Sequence, residues 1–455
     1  MRVLSVAELK SAWGQWVGAS TDRKIFSVAV LLGVLSIGIK VLSFVKEAVV
    51  ASWFGVSDFI DAFGIALLLP VFFMNVLGNS LNVVLVPLLI QARTQDDKTA
   101  LQRTLSVGLT FCLISFLTIT LLLFISERMI WNVLAAGFNP DKVELTRNLS
   151  LLLWPSLLFY SLARVFGAAL NAEKHFALAG ITPGVISIMV LLTLIILGPS
   201  QHIFALAIGT TIGYLAEAII LAIAVLRRGL RLYPGSIAWL RVITVRFAPI
   251  AVGAIFMSAT IVADQSIAAT LGSGNVAALN YGTKIITLVL TLGAMAIGTS
   301  SLPYISAMVT AEKWHDVRIT MRRFVILSFV VGIPCAIIIA LSSHGIIRLL
   351  FERGAFTAED TTLVAAIQAL YALQIPAYIA WILNTRITWA LQVHRKFVIV
   401  AALNLALNII LNLLFIQWLG VLGIALATSV VTFIVFAILF GLNEQVLAER
   451  IQRSA

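Results

Sequence analysis

The chain has 455 residues, 61% of them hydrophobic and 11% charged, a composition that excludes a water-soluble protein and fits an all-α polytopic membrane protein. Its net charge of +11 is spread through short connections between apolar runs, the pattern of membrane orientation rather than of a nucleic-acid binder, so no nucleic acid is expected as a partner. The two cysteines, Cys112 and Cys335, fall inside apolar runs and the five histidines are scattered, so no disulfide, metal site or cofactor is expected.

Residues 1–25 are polar and of mixed charge, with Trp13 and Trp16 suited to the headgroup level, and are predicted to form a cytoplasmic tail. Counting about 20 apolar residues per crossing predicts about twelve helical spans. They lie near 26–50, 59–90, 104–126, 146–170, 177–198, 203–226, 246–271, 276–309, 324–342, 361–388, 397–417 and 420–442. One side of that arrangement carries only Arg128, Lys142, Arg147, Arg348 and Arg353, while the connections and tails of the other side are rich in Arg and Lys. That asymmetry predicts that both termini are cytoplasmic.

The basic connection 227–245 divides the spans into two halves of six, 26–226 and 246–442, and leaves 443–455 as a cytoplasmic tail. The halves share anchors at a steady offset. Gly55 matches Gly272, Pro87 matches Pro303, Ala136-Gly137-Phe138 matches Gly354-Ala355-Phe356, and Ala169-Leu170-Asn171 matches Ala390-Leu391-Gln392. Two copies of equal orientation predict a pseudo-twofold axis along the membrane normal, with a substrate path between them.

The stretch Lys40–Pro87 carries charges inside two long apolar runs. Charges at such depth cost several kcal/mol, so Lys40, Lys46, Glu47 and Asp61 are expected to face protein or a hydrated cavity, not lipid. On a helix Lys40, Ser43 and Glu47 share a face. With Lys40-Val41-Leu42, Lys46-Glu47, Phe54-Gly55, Asp61-Ala62-Phe63, Leu69-Pro70 and Val86-Pro87, this stretch resembles the MviN/MurJ family, the lipid II flippases of the bacterial inner membrane.

The resemblance continues through Val262-Ala263-Asp264, Leu271-Gly272-Ser273-Gly274, Ala278-Leu279-Asn280-Tyr281 and Lys284, and through the outer-loop signature Leu350-Phe351-Glu352-Arg353-Gly354-Ala355-Phe356-Thr357. Lysines stand at 40, 46 and 284 where that family usually has arginines, and Met74-Asn75 stands where it commonly has a basic pair.

The resemblance implies a cargo with a pyrophosphate head, a glycan and a long apolar tail, which needs a cationic cavity open to each side in turn. Lys40, Lys46 and Lys284 would meet the pyrophosphate, and Glu47, Asp61 and Asp264 would balance those charges or respond to a coupling ion. Fixed intramembrane ion pairs are the competing explanation. Arg164 and Arg386, at equivalent places in the fourth and tenth spans, and Glu217 in the sixth are expected to hold spans together or cap a gate. Glu352, Arg353, Glu359 and Asp360 belong either to a solvated outer loop or to an outer-gate ion pair.

The leading expectation is a non-enzymatic flippase that moves lipid II, an undecaprenyl-diphosphate-linked peptidoglycan precursor, to the outer leaflet by alternating access. A lipid-linked exopolysaccharide or O-antigen unit is the alternative cargo, ahead of a multidrug cation antiporter or a non-transporting scaffold. A glycosyltransferase would need a long, acid-bearing loop, and no phosphate-binding Gly-Lys-Ser/Thr loop is present for ATP. Membrane lipid and a cell-wall or polysaccharide synthase are the expected partners.

Overall fold

The computed structural model describes residues 21–94, 98–173, 175–229 and 237–454. The predicted N-terminal tail, with Trp13 and Trp16, lies outside them except for 21–25, and so does part of the predicted connection 227–245. The described residues are helical, with no strand among them.

The first helix, α1 (Thr21–Phe54), contains Lys40, Lys46 and Glu47. After a short corner come α2 (Asp58–Met74), a π-helical turn (Asn75–Asn79) and α3 (Ser80–Thr94), which together make the second predicted span. Next are α4 (Lys98–Ile125), the short α5 (Glu127–Leu134), α6 (Pro140–Leu153), α7 (Pro155–Ala172), α8 (Phe176–Ile181), α9 (Gly184–Gln201) and α10 (Ile203–Leu226). The remaining helices are α11 (Ile237–Ala269), α12 (Asn275–Thr310), α13 (Trp314–Phe351), α14 (Ala358–Ala372), α15 (Ile375–Ala390), α16 (His394–Leu419) and α17 (Val421–Ser454).

Ten helices or helix runs among the described residues are long and apolar enough to cross a membrane, and α14 with α15 makes an eleventh, bent by 45°. At 1.5 Å per residue the 34-residue α1 also has the length to cross. The total agrees with about twelve spans. Three predicted spans are broken: the fourth at Trp154, where Pro155 opens a new helix, the fifth between Ile181 and Gly184, with Pro183 just before α9, and the tenth between Ala372 and Ile375, with Pro376 in the first turn of α15. Proline has no N–H to donate and suits the start of a helix, and each break has one where the new helix begins, whereas Pro70, Pro87 and Pro334 lie inside helices that run on. At the C-terminus α17 continues past residue 442 to Ser454, with Glu444 bound to Arg318 (2.8 Å) and Arg322 (2.7 Å).

The chain forms two compact units that cut across the sequence halves. One comprises the described residues up to Glu47 with Leu81–Phe116 and Leu158–Ile243. Within it α9 and α10 pack as an antiparallel pair: a Cβ on Gly213 would lie 2.8 Å from the Ile186 Cα, so only a residue without one permits that approach. The other comprises Ala48–Ser80, Leu117–Leu157 and everything from Thr244 on. Its core includes Ile305, Val317, Met321, Leu383, Ile387 and Leu447, contributed by α12, α13, α15 and α17. This second unit therefore holds α2 and α6 of the first sequence half packed with helices of the second, α2 lying against both α6 and α12.

Candidate functional site

At the predicted outer end of the second unit, Asp61 is the centre of a buried polar knot. It lies in the first turn of α2 and is fully buried. Helix α12 begins after Gly274, a residue that holds φ +79° and has no side chain with which to cap the helix. The first N–H groups of any helix lack internal partners and carry partial positive charge. Asp61 supplies the missing cap from another segment: Oδ2 accepts from the Gly274 N–H at 2.7 Å, and Oδ1 from the Ala277 N–H at 2.8 Å.

The same carboxylate takes the Lys142 ammonium at 2.7 Å. Lys142 stands in the first turn of α6, whose start is fixed by Pro140 and by the Asn139 side chain accepting from the Lys142 N–H at 2.8 Å. Its ammonium also bonds Asp58 and sits 3.9 Å from the centre of the Phe138 ring. One carboxylate thus ties three segments, α2, α6 and the start of α12.

Around this knot the backbone itself closes. Gly354 holds φ +58°, and a Cβ there would overlap the Ser52 carbonyl, which accepts instead from the Ala355 N–H at 2.8 Å. A Cβ on Gly137 would likewise overlap the Ala269 carbonyl. Ser52 to Ala269 is the same step along the chain as Gly137 to Gly354, so the loop between the third and fourth predicted spans of each half seats its glycine on the end of the other half's first helix. That is a twofold-related pair of contacts.

The second polar cluster lies deeper in the same unit. Asp264 on α11 is buried without an ion-pair partner among the described residues. Its Oδ1 accepts from the Asn408 and Asn412 side-chain amides at 3.0 and 2.6 Å, and its Oδ2 from the Thr428 hydroxyl at 3.3 Å. Asn408 and Asn412 are one turn apart on α16 and so share a face. A cavity of about 160 Å³ opens beside them, lined also by Gln374, Tyr378 and Trp381.

In the first unit, Glu217 on α10 is fully buried and paired with Arg164 on α7 at 2.5 Å, and the guanidinium lies 4.9 Å from the centre of the Tyr160 ring. Lys46 pairs with its neighbour Glu47 at 2.8 Å. Ser43 is 3.3 Å from Ser187 on α9, and Lys40, one turn before it and half-buried, makes no ion pair or hydrogen bond among the described residues.

Of the residues singled out in the sequence, the fold joins Lys46 to Glu47 and Arg164 to Glu217. Lys284, half-buried on α12, belongs to the second unit, whereas Lys40 and Lys46 belong to the first. Arg386, the sequence counterpart of Arg164, is exposed, and its region is held instead by Asn443 donating to the Asn384 carbonyl at 3.0 Å. Arg353 is exposed and donates to the Leu349 carbonyl at 2.7 Å, while Asp360 forms a capping box with Thr357 at the start of α14. The sequence reading did not single out Lys142, Asp58 or Thr428 as site residues, and it did not join Asn408 and Asn412 to Asp264. The one-turn spacing of those two asparagines opposite a buried carboxylate was the available signal.

A family model described as lipid II flippase MurJ matches residues 50–453, nearly the whole chain. The chain belongs to the MurJ family. Lys40 and Lys46 precede the matched residues, whereas Asp61, Lys142, Asp264 and Lys284 fall within them.

Among relatives, a probable lipid II flippase MurJ of Rickettsia prowazekii is 23% identical over 429 residues, covering 92% of this chain and 83% of its own. One from Rhizobium tropici is 27% identical over 423 residues, covering 88% and 77%. A solved lipid II flippase MurJ in an inward closed conformation shares the fold with a TM-score of 0.77 at 23% identity, over 90% of this chain and 86% of that one. A multidrug transporter of the MATE family, in an inward-facing conformation, superposes with a TM-score of 0.76 at 14% identity, over 93% and 99%. The MurJ fold of this chain is therefore one that other transporters share, and it is that of a multi-pass membrane protein.

Proposed function

We propose that this chain is a flippase that carries lipid II, an undecaprenyl-diphosphate-linked peptidoglycan precursor, from the inner to the outer leaflet of the bacterial cytoplasmic membrane. The observation that carries the reading is the family match over residues 50–453, to a family described by that activity. Transport proceeds by alternating access, with both termini cytoplasmic, as the charge asymmetry of the loops favours.

In this reading the knot at Asp61 and Lys142, with the paired glycine contacts around it, is the outer gate in its closed state. Lys40, Lys46 and Lys284 meet the pyrophosphate, with Glu47 holding Lys46 while the site is empty. Asp264, a buried carboxylate held only by neutral donors, is the coupling residue. Arg164 and Glu217 brace α7 against α10, and Arg353 and Arg386 lie at the exposed ends of gate-forming segments. A cell-wall synthase is the partner that would receive the cargo.

One observation favours a second cargo, a lipid-linked exopolysaccharide or O-antigen unit. Lysines stand at 40, 46 and 284. A lysine is a point charge and does not grip a phosphate with the two-pronged geometry of arginine, so the head group these residues suit differs in detail.

The deciding experiment is complementation of a bacterium depleted of its resident lipid II flippase, comparing the wild-type chain with Lys40→Ala, Lys46→Ala and Lys284→Ala at equal membrane levels. Rescue by wild type, lost in the lysine variants, is the expected result. A well-inserted wild type that fails to rescue rejects lipid II as cargo and leaves the second reading.

A further inference from the structure

The end of α10 carries a feature that no cargo or gate role uses. The helix stops at Leu226, and Arg227-Arg228-Gly229 turns back on it: the Arg227 N–H still reaches the Ile223 carbonyl at 2.9 Å, and Gly229 takes φ +76°. Beside this turn lies a cavity of about 510 Å³, lined by Leu178 of α8, by Ile220, Ile223 and Ala224 of α10, and by the two arginines. Its wall is apolar and its rim cationic. Ile220 and Ile223 are 37% and 44% exposed, as expected of side chains that face lipid.

The two guanidiniums have donors to spare. Arg227 is exposed and makes no ion pair among the described residues. Among the described residues Arg228 has a single carboxylate contact, to Glu173 at a long 3.4 Å. An arginine carries five N–H donors in a planar fork, so a neighbouring phosphate could be gripped by both residues without breaking existing bonds.

We infer that this pocket holds one anionic phospholipid of the bilayer, its phosphodiester between Arg227 and Arg228 and an acyl chain along Leu178, Ile220 and Ile223. Basic residues directly beside a span at its cytoplasmic end are the arrangement that attracts anionic lipid headgroups. The choice of leaflet rests on the orientation proposed above, but binding itself does not. The apolar wall selects a lipid over a soluble phosphate, and two arginines match one phosphodiester.

The test uses the purified full-length chain in mild detergent, with phosphatidylglycerol, phosphatidylcholine of the same acyl chains, and glycerol 3-phosphate as probes, read by native mass spectrometry and by thermal unfolding. Retention of phosphatidylglycerol is expected to exceed that of phosphatidylcholine by roughly tenfold, with no response to glycerol 3-phosphate. The double variant Arg227→Ala/Arg228→Ala should lose most of that preference, and Glu173→Gln, which releases Arg228, should increase it. Arg241→Ala/Arg323→Ala, removing two exposed arginines elsewhere, should leave it unchanged.

Undiminished phosphatidylglycerol binding in the Arg227/Arg228 double variant overturns the inference, and so does an equal loss in the Arg241/Arg323 control. Equal binding of phosphatidylcholine rejects the anionic headgroup, and protection by glycerol 3-phosphate alone reassigns the pocket to a soluble ligand. Should the double variant fail to fold, Arg227→Gln, at an exposed position, decides by the same readings. None of these outcomes depends on whether the chain flips lipid II.

Discussion

The Asp61 carboxylate, 2.7 Å from the Lys142 ammonium, also caps the helix that begins at Asn275. Charge neutralisation and helix capping therefore rest on one side chain. Taking a paired charge out of a buried site leaves its partner uncompensated, at a cost of about 3–5 kcal/mol.

The two ends of this pair are not equivalent. In Lys142→Met the Asp61 carboxylate keeps two N–H donors and the positive end of a helix. In Asp61→Asn the buried Lys142 keeps, among the carboxylates of the described residues, only Asp58, which is 51% exposed. Asp61→Asn is thus expected to lower the thermal unfolding midpoint in detergent more than Lys142→Met, and the double variant should lose less than the two single losses combined. Strictly additive losses would show that the pair is not coupled.

At Gly354 the positive φ of +58° and the contact with the Ser52 carbonyl both exclude a side chain. Left-handed backbone alone costs a non-glycine residue about 1–2 kcal/mol, and the overlap adds to that. Gly354→Ala should destabilise the protein by at least that amount and loosen the proposed outer gate, seen as faster labelling of a cysteine placed at Ser52. Gly345, within α13, has open space around its missing side chain, so Gly345→Ala should be neutral or stabilising by up to about 1 kcal/mol. Equal behaviour of the two alanine variants would contradict this reading of the outer end.

Arg164 and Arg386 hold matching places in the two sequence halves but differ in surroundings. Arg164→Ala strands the fully buried Glu217, a loss on the scale of about 3–5 kcal/mol, whereas Arg386 is exposed and Arg386→Ala should stay within about 0.5 kcal/mol. Unfolding midpoints of the two variants in the same detergent check this. Glu217→Gln should soften the Arg164→Ala defect, because the stranded group is then neutral.

What the sequence made legible follows from which signals are local. A span is a run of apolar residues, so nearly all were found. The paired corners at Gly55 and Gly272 were legible because both positions hold positive φ, +59° and +105°, which strongly favours glycine. The partnership of Asp61 with Lys142 was not, since 81 residues separate them and neither carries a mark of the other. Lys142 read as an outer-loop charge because it stands two residues after Pro140 at a helix start, and only packing turns it inward. The equivalence of Arg164 and Arg386 was legible as a repeat, but burial depends on neighbours: among the described residues Arg386 has no ion-pair partner to match Glu217, and Asn384 and Asn443 bond to each other instead.

Asp264 separates a structural role from a coupling one. Among the described residues its oxygens accept only from neutral groups, Asn408, Asn412 and Thr428, so asparagine can keep much of the network: its oxygen replaces Oδ1, and its amide can donate to the Thr428 hydroxyl. Asp264→Asn is therefore expected to fold, with a stability change near the value of one hydrogen bond, about 1 kcal/mol. Asp264→Leu instead leaves the Asn408 and Asn412 donors unpaired in a buried site, at about 1–3 kcal/mol for each. If the carboxylate serves only to hold α11 against α16 and α17, activity in the complementation assay should follow these stabilities, and the asparagine variant should support growth. If its charge is what couples transport, Asp264→Asn should be as inactive as Asp264→Leu while remaining as stable as wild type within that margin. The second pattern is the expected one, and growth supported by a well-inserted Asp264→Asn variant would remove Asp264 from the transport cycle.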